Sequence, residues 1–214
     1  MSARAARAFL AADPVVGIAV RQVGPLRLTI AKDREPYEAL VRAIAHQQVH
    51  GKAAEAMLNR LLALFPHHVF PPPEGILALP DGALRSCGFS GAKSAAILDI
   101  ATKAAAGWVP TRRAATRMTD EALIERLVAL RGVGRWTVEM LLIFTLGRPD
   151  VLPVDDFGVR EGFRVCAGLD AQPKPKDLAR IGEAWSPWRS AASWYFWRAA
   201  DLAKAGRFRV PEAM

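Results

Sequence analysis

An all-α fold is what this sequence predicts, and three observations predict it. Apolar residues recur at helical spacing along most of the chain, helix start and stop signals bracket those stretches, and only one segment alternates as a strand does. That segment is "LRLTI", residues 26–30, and one strand makes no sheet. Before it, "MSARAARAFLAADPVV" is rich in Arg and Ala and lacks the sustained apolar stretch of a secretion signal. From about Glu35 to Phe65 the chain reads as helix: Pro36 suits a first turn, and Leu40, Val41, Ile44, Leu58, Leu61 and Leu62 keep helical spacing. "QQVHG" interrupts this stretch, so two helices are expected. "FPHHVFPPPEGILALP" reads as loop with breakers. "GAKSAAILDIATKAAAG" reads as a helix ending at Gly107, and Thr119, with Asp120 and Glu121, opens the helix "EALIERLVAL". A tight "RGVG" turn then leads to another apolar helix through Val138, Leu141 and Leu142. Pro153 and the acids after it mark a further loop-to-helix junction, and "AQPKPKD" near residue 173 punctuates the C-terminal part.

A chain of 214 residues, 51% of them hydrophobic, has the material for one large domain or two small lobes with a real core. Its 29 Lys and Arg against 21 Asp and Glu give a formal charge of +8, which favours a polyanionic partner without saying which one. Between Lys103 and Arg135 stand seven basic and three acidic residues, half of the whole excess, and that clustering points to nucleic acid. The longest apolar run, "MLLIFTL", is far short of a membrane span. Two cysteines, Cys87 and Cys166, lie far apart without a CxxC spacing, so neither a disulfide framework nor a cysteine metal cage is indicated. A soluble cytoplasmic protein is expected, with a cleaved organelle transit peptide as the alternative.

Two short stretches carry chemistry. In "LRGVGRWTVEM", residues 130–140, Gly132 and Gly134 allow backbone angles closed to other residues and let something approach the main chain. Amides at a helix start are unpaired donors at the positive end of the dipole, so a phosphate is the natural visitor, and Arg131 and Arg135 add charge. A Gly-x-Gly between helices is also commonly no more than a tight turn. Twenty residues after Trp136, "VLPVDDFGVREGF" places Asp155 and Asp156 at a helix start. One acid capping the helix and the other favouring the dipole explains such a pair without any chemistry. Adjacent side chains point in different directions, however, so one acid can cap while the other faces a cleft.

The combined order and spacing are more specific. "LRGVGRWTVEMLLIFTLGRPDVLPVDDFGVREGF", preceded by "AIAHQQVHGKAA" and followed by "WSPWRSAASWYFWRAADL", resembles the helix-hairpin-helix DNA glycosylase superfamily, in its 3-methyladenine DNA glycosylase II (AlkA-type) branch, over residues 36 to 202. The resemblance implies a monofunctional DNA glycosylase of base excision repair. Such an enzyme flips alkylated bases such as 3-methyladenine out of double-stranded DNA and hydrolyses the N-glycosidic bond, as a monomer, without membrane association or a required cofactor. It also implies two helical lobes flanking a DNA-binding cleft that holds Asp156, with no large N-terminal β domain. Residues 36–152 would form the lobe with the hairpin, and residues 1–35 with 153–214 the other.

Residue by residue, the second acid of the pair, Asp156, matches the family's catalytic carboxylate. A "VDTH"-like motif in endonuclease III relatives makes Asp155 the alternative, but the aromatic after the pair and the gap from Trp136 favour Asp156. Those relatives use a lysine where Trp136 stands, which implies no Schiff-base lyase chemistry, and their iron–sulfur cluster needs four cysteines where this chain has two. Trp136, Phe157 and Trp197 match pocket-lining positions, whereas Trp185, Trp188 and Trp194 are expected in the core. Gly132, Val133, Gly134, Arg131 and Arg135 are the expected DNA contacts of the hairpin. Gln48 matches the wedge that plugs the emptied duplex, although many relatives have Ser where His50 stands, which leaves the local cap open. Lys93 is either a phosphate contact or a solvated helix-end lysine. His46 and His50 share an i, i+4 spacing, but residue 47 is Gln where a zinc helix has Glu, and no third ligand is evident, so no zinc is expected. A structural Na+ or K+ held by the backbone carbonyls of Val128, Leu130 and Val133 is a family expectation. Two other readings stay open: a non-catalytic helix-hairpin-helix DNA-binding protein, and a glycosylase for another lesion such as hypoxanthine or ethenoadenine.

Overall fold

The structure, a computed structural model, describes residues 2–209, and no strand occurs among them. In chain order the helices are α1 (Ala3–Ala11), α2 (Val16–Val23), α3 (Pro36–His46), α4 (Gly51–Ala63), α5 (Pro73–Leu77), α6 (Ala83–Ser86) and α7 (Gly91–Ala105). They continue with α8 (Arg112–Ala115), α9 (Asp120–Leu127) and α10 (Arg135–Leu141), which runs on into a π-helical turn, Leu142–Leu146. Then come α11 (Phe157–Ala167), α12 (Pro175–Gly182), a 3-10 turn (Glu183–Trp185) and α13 (Arg189–Lys204). No helix among the described residues is long and apolar enough to cross a membrane.

The start signals act as their chemistry requires. Ser90 Oγ accepts the Lys93 amide at 3.2 Å and Thr119 Oγ1 accepts the Ala122 amide at 3.2 Å, satisfying donors that the first turns of α7 and α9 leave over. The stretch 65–80 is not loop throughout: Pro73, whose fixed φ suits a first turn, starts α5. Residues 26–30 do alternate between partly buried and exposed, yet they form no strand and carry no assigned secondary structure.

The chain divides into two compact units, Ala31–Leu141 and Met1–Ile30 with Leu142–Met214. In the first, Leu40, Val41 and Ile44 of α3, Leu58 and Leu61 of α4, Ile97 and Ile100 of α7, and Leu123 and Leu127 of α9 are fully buried. Burying each such side chain contributes about 1.5–3 kcal/mol, so this core holds α7 and α9 in place beneath the segment that joins α9 to α10.

In the second unit α13 packs directly on α11. A Cβ at Gly162 would lie 1.9 Å from the Phe196 carbonyl oxygen, so only glycine permits the two backbones to approach this closely. Trp185, Tyr195 and Phe196 are buried around this contact, with Trp188 and Trp194 packed against the same core, which is the structural role expected for Trp185, Trp188 and Trp194. Trp185 donates its indole N–H to Asp13 Oδ2 at 3.0 Å, while Asp13 Oδ1 caps α2 through the Val15 and Val16 amides.

Asp150 fixes the start of α13. Its two oxygens accept from Arg189 Nε at 2.8 Å and Nη2 at 2.9 Å, and Oδ2 also accepts the Ser186 hydroxyl at 2.9 Å. Burial alone would raise the Asp150 pKa, but the bonds from Arg189 and Ser186 outweigh it and hold the carboxyl below its ordinary 3.8. A depressed folded pKa contributes stability above the ordinary value and loses it as pH falls through the folded one. Asp150→Asn is therefore expected to lower stability at pH 7 by about 1–2 kcal/mol. Urea titrations at pH 7, 5 and 3 should show that gap narrowing only below about pH 4; a gap constant with pH would contradict the ionic origin.

Candidate active site and nucleic-acid interface

Asp156 stands immediately before α11 with extended backbone angles (φ −67°, ψ 123°), the geometry in which a side chain folds back onto the first turn. Its Oδ1 accepts the Val159 amide at 2.8 Å and the Trp197 indole N–H at 2.8 Å. Capping and candidate chemistry therefore fall on one residue, not on two neighbours, and Asp155 is exposed. Two donors converging on a single oxygen fix both torsions of the side chain, so the carboxylate is preorganised.

Gly158 is what lets this arrangement close. A Cβ there would meet Trp197 Cδ1 at 2.7 Å and Asp156 Oδ1 at 3.2 Å. Trp197 also stacks on Phe144, with ring centroids 5.5 Å apart and planes 30° from parallel. Phe144 belongs to the π-helical turn, whose extra residue changes where side chains point, and nothing in the run "MLLIFTL" announces it. Phe157, the first residue of α11, is 72% exposed. The structure thus brings Asp156 and Trp197 together and adds Gly158 and Phe144. Gly158→Ala is expected to push the indole off Asp156 and slow any reaction that uses this carboxylate about tenfold. It should cost less than about 2 kcal/mol in stability, because the indole can move. Single-turnover kinetics and thermal melts on the same preparation check both parts.

Within the Ala31–Leu141 unit, α9 and α10 are joined by residues 128–134. Gly132 has φ 75°, the left-handed region glycine favours, and a Cβ on it would sit 3.3 Å from both Ala96 Cβ and Ile44 Cδ1. One of the two glycines is therefore required by the turn and by close packing onto α7 and α3. A Cβ on Gly134, by contrast, meets no atom within 4 Å, so that side of the backbone is open to approach from outside. Leu130 and Val133 are buried beneath the turn, and Arg131 is exposed.

Trp136, in the first turn of α10, is 46% exposed. Arg135 is held by Glu121 at 2.7 and 3.1 Å and by Glu139 at 3.1 Å. The bond from Arg135 lowers the Glu121 pKa. Lys93 Nζ donates to the Ala45 carbonyl at 2.7 Å, at the end of α3, and burial lowers its pKa. Neither cation is simply a solvated charge waiting for phosphate.

Gln48 lies in the turn between α3 and α4, exposed and with φ 54°, a conformation a side chain adopts only under strain. Its neighbour Gln47 donates from Nε2 to the Gly132 carbonyl at 3.0 Å, which ties this turn to the hairpin. His50 caps α4 through Nδ1, and His46 Nε2 meets Glu55 Oε1 at 3.1 Å. Val128, Leu130 and Val133 offer neutral carbonyl oxygens, the hard donors a Na+ or K+ takes, although the Leu130 carbonyl already accepts the Val133 amide at 3.2 Å. Cys87 and Cys166 are both free and buried, and burial pushes the Cys166 thiol up to about 12.

Residues 41–187 match the HhH-GPD superfamily base excision DNA repair proteins, and the chain belongs to that family. It is 43% identical to DNA-3-methyladenine glycosylase 1 of Schizosaccharomyces pombe, over 86% of this chain and 81% of the relative. It is also 33% identical to the alkylbase DNA glycosidase-like protein mag2 of the same organism, over 88% and 89% of the two chains. The solved S. pombe 3-methyladenine DNA glycosylase (Mag1) in complex with abasic DNA aligns with a TM-score of 0.85 at 41% identity, covering 93% of this chain and 98% of that one.

Proposed function

We propose that this protein is a monofunctional DNA-3-methyladenine glycosylase of base excision repair, acting as a monomer on double-stranded DNA in the cytoplasm. The observation that carries the reading is the carboxylate of Asp156, pinned through one oxygen by the Val159 amide and the Trp197 indole.

Alkylation at a purine ring nitrogen makes the base cationic and hence a good leaving group. As the C1′–N bond breaks, its electron pair neutralises the departing base, and positive charge moves onto the sugar. Asp156 stabilises that charge; a water oxygen then bonds to C1′, its proton passing to the carboxylate or to solvent. The products are a free base and an abasic site.

Reaching that bond requires the nucleotide to leave the stack. Gln48 is assigned to plug the gap. The amides around Gly132, Val133 and Gly134, with Arg131, are assigned to the phosphate backbone, and Arg135 and Lys93 support the same segments from within. Trp136, Phe157 and Trp197 are assigned to the expelled base, where cation–π attraction contributes about 0.5–2 kcal/mol per favourable contact. A monovalent cation on the carbonyls of Val128, Leu130 and Val133 would neutralise their dipoles and stiffen the hairpin. A Trp at position 136, where lyases of the superfamily carry Lys, provides no amine for a Schiff base.

A panel of duplexes carrying 3-methyladenine, 7-methylguanine, hypoxanthine or ethenoadenine tests this reading. Free 3-methyladenine and 7-methylguanine should appear, with strand breaks only after alkali. Breaks without alkali would indicate a lyase, and no free base from any lesion would leave a DNA-binding protein without catalysis.

A further inference from the structure

We propose that Asp99, an acid on α7, tightens DNA binding by fixing the hairpin, with Lys103 as its partner; this rests on the hairpin being a DNA contact. Asp99 Oδ2 accepts the backbone N–H of Arg131 at 2.8 Å and the ammonium of Lys103 at 3.1 Å. Lys103, one turn further along α7, donates to the carbonyl of Ala129 at 2.9 Å. The pair thus holds one donor and one acceptor on either side of the buried Leu130, where α9 has ended and its backbone groups have no helical partner. On the far side of Arg131, Gly132 rests on Ala96 of the same helix. One face of α7 therefore holds Ala129, Arg131 and Gly132, three of the four residues from 129 to 132.

The arrangement has a physical consequence. A turn with unpartnered N–H and C=O groups samples several shapes, and ordering it on contact with DNA weakens binding; a turn already held avoids that loss. Asp99 and Lys103 have side chains 29% and 34% exposed, so they are neither deep core residues nor free surface charges. Burial alone would raise the Asp99 pKa, but the Arg131 amide and Lys103 outweigh it and keep the carboxyl ionised well below neutral pH.

The sign of the expected effect separates this role from ordinary electrostatics. Removing an acid beside a DNA-contacting segment raises the formal charge above +8 and by charge alone tightens binding. Positioning predicts the opposite. Asp99→Ala should raise the Kd for an abasic-site duplex about tenfold, as expected from one or two released backbone groups. Asp99→Asn, which keeps an acceptor for the Arg131 amide, should fall between the two and covers the case in which the alanine variant folds poorly. Lys103→Arg should retain wild-type affinity, and Lys103→Met should resemble Asp99→Ala. At saturating enzyme the single-turnover rate should stay within about twofold of wild type.

Fluorescence anisotropy across a salt series provides the readout, with melts on each variant. Unchanged or tighter binding by folded Asp99→Ala overturns the proposal. So does a Lys103→Met variant that lowers the salt slope by about one while Asp99→Ala leaves affinity intact, since Lys103 would then touch phosphate directly. Failure of the wild type to bind any duplex would instead overturn the DNA reading beneath it.

Discussion

Asp156→Asn should lower the single-turnover release of 3-methyladenine by about 10²–10³-fold while leaving the fold nearly intact. The asparagine side chain has the same shape, and its amide oxygen still accepts from Val159 and Trp197, the two donors that Oδ1 now satisfies at 2.8 Å each. The cap of α11 is therefore preserved, and the stability change should stay within about 1 kcal/mol. What disappears is the negative charge facing a sugar that turns positive. The measurement pairs a stopped-time excision assay with a thermal melt. A loss of activity with an equal collapse of the melt would assign Asp156 to structure, and full activity would remove it from the mechanism.

Gly162→Ala should produce the largest loss of stability. The added Cβ would lie 1.9, 2.4 and 2.6 Å from the Phe196 carbonyl oxygen, carbonyl carbon and Cα. These are backbone atoms, so no rotamer change relieves the clash and α11 must move away from α13. Overpacking typically costs 1–3 kcal/mol and more where the backbone must shift, so about 3 kcal/mol or more is expected. In a chain of this size that corresponds to a Tm lower by about 6–12 °C. Gly158→Ala makes the contrast, because its nearest neighbour, at 2.7 Å, is a side chain. A Gly162→Ala melt indistinguishable from wild type would contradict the α11–α13 contact as described.

Much of the architecture is legible in sequence wherever a local signal has a local cause. "QQVHG" does split two helices, Thr119 does open α9, and α7 does end within two residues of Gly107, because caps and breakers act within a turn of themselves. The stretches that escaped notice lack such signals or carry misleading ones. Nothing marks Ala3–Ala11 as helix except Ser2 and the buried pair Ala6 and Leu10, and the prolines before α5 and α12 read as breakers although each helix has Pro in its first turn.

The site divides the same way. The spacing of "RGVGRW" to "DDFG" reaches Asp156, and the later "WSPWRSAASWYFWRAADL" reaches Trp197, through family resemblance, but no local pattern shows that they are bonded to each other. Phe144 depends on a π-helical turn, and Asp99 meets Arg131 across 32 positions of sequence. Arg135 counts as positive charge in any composition, whereas in three dimensions Glu121 and Glu139 already hold it. Tertiary pairing of this kind leaves no local trace.

Whether the carboxylate of Asp156 responds to positive charge on the sugar is best asked by binding, without turnover. Two duplexes would be compared, each with a base-free site: one whose sugar ring oxygen is replaced by a protonated nitrogen, and one with a neutral ring. A group built for the transition state should bind the cationic mimic at least a hundredfold more tightly, and Asp156→Asn should erase most of that difference. Equal preference for the cationic ring in wild type and Asp156→Asn would contradict the account.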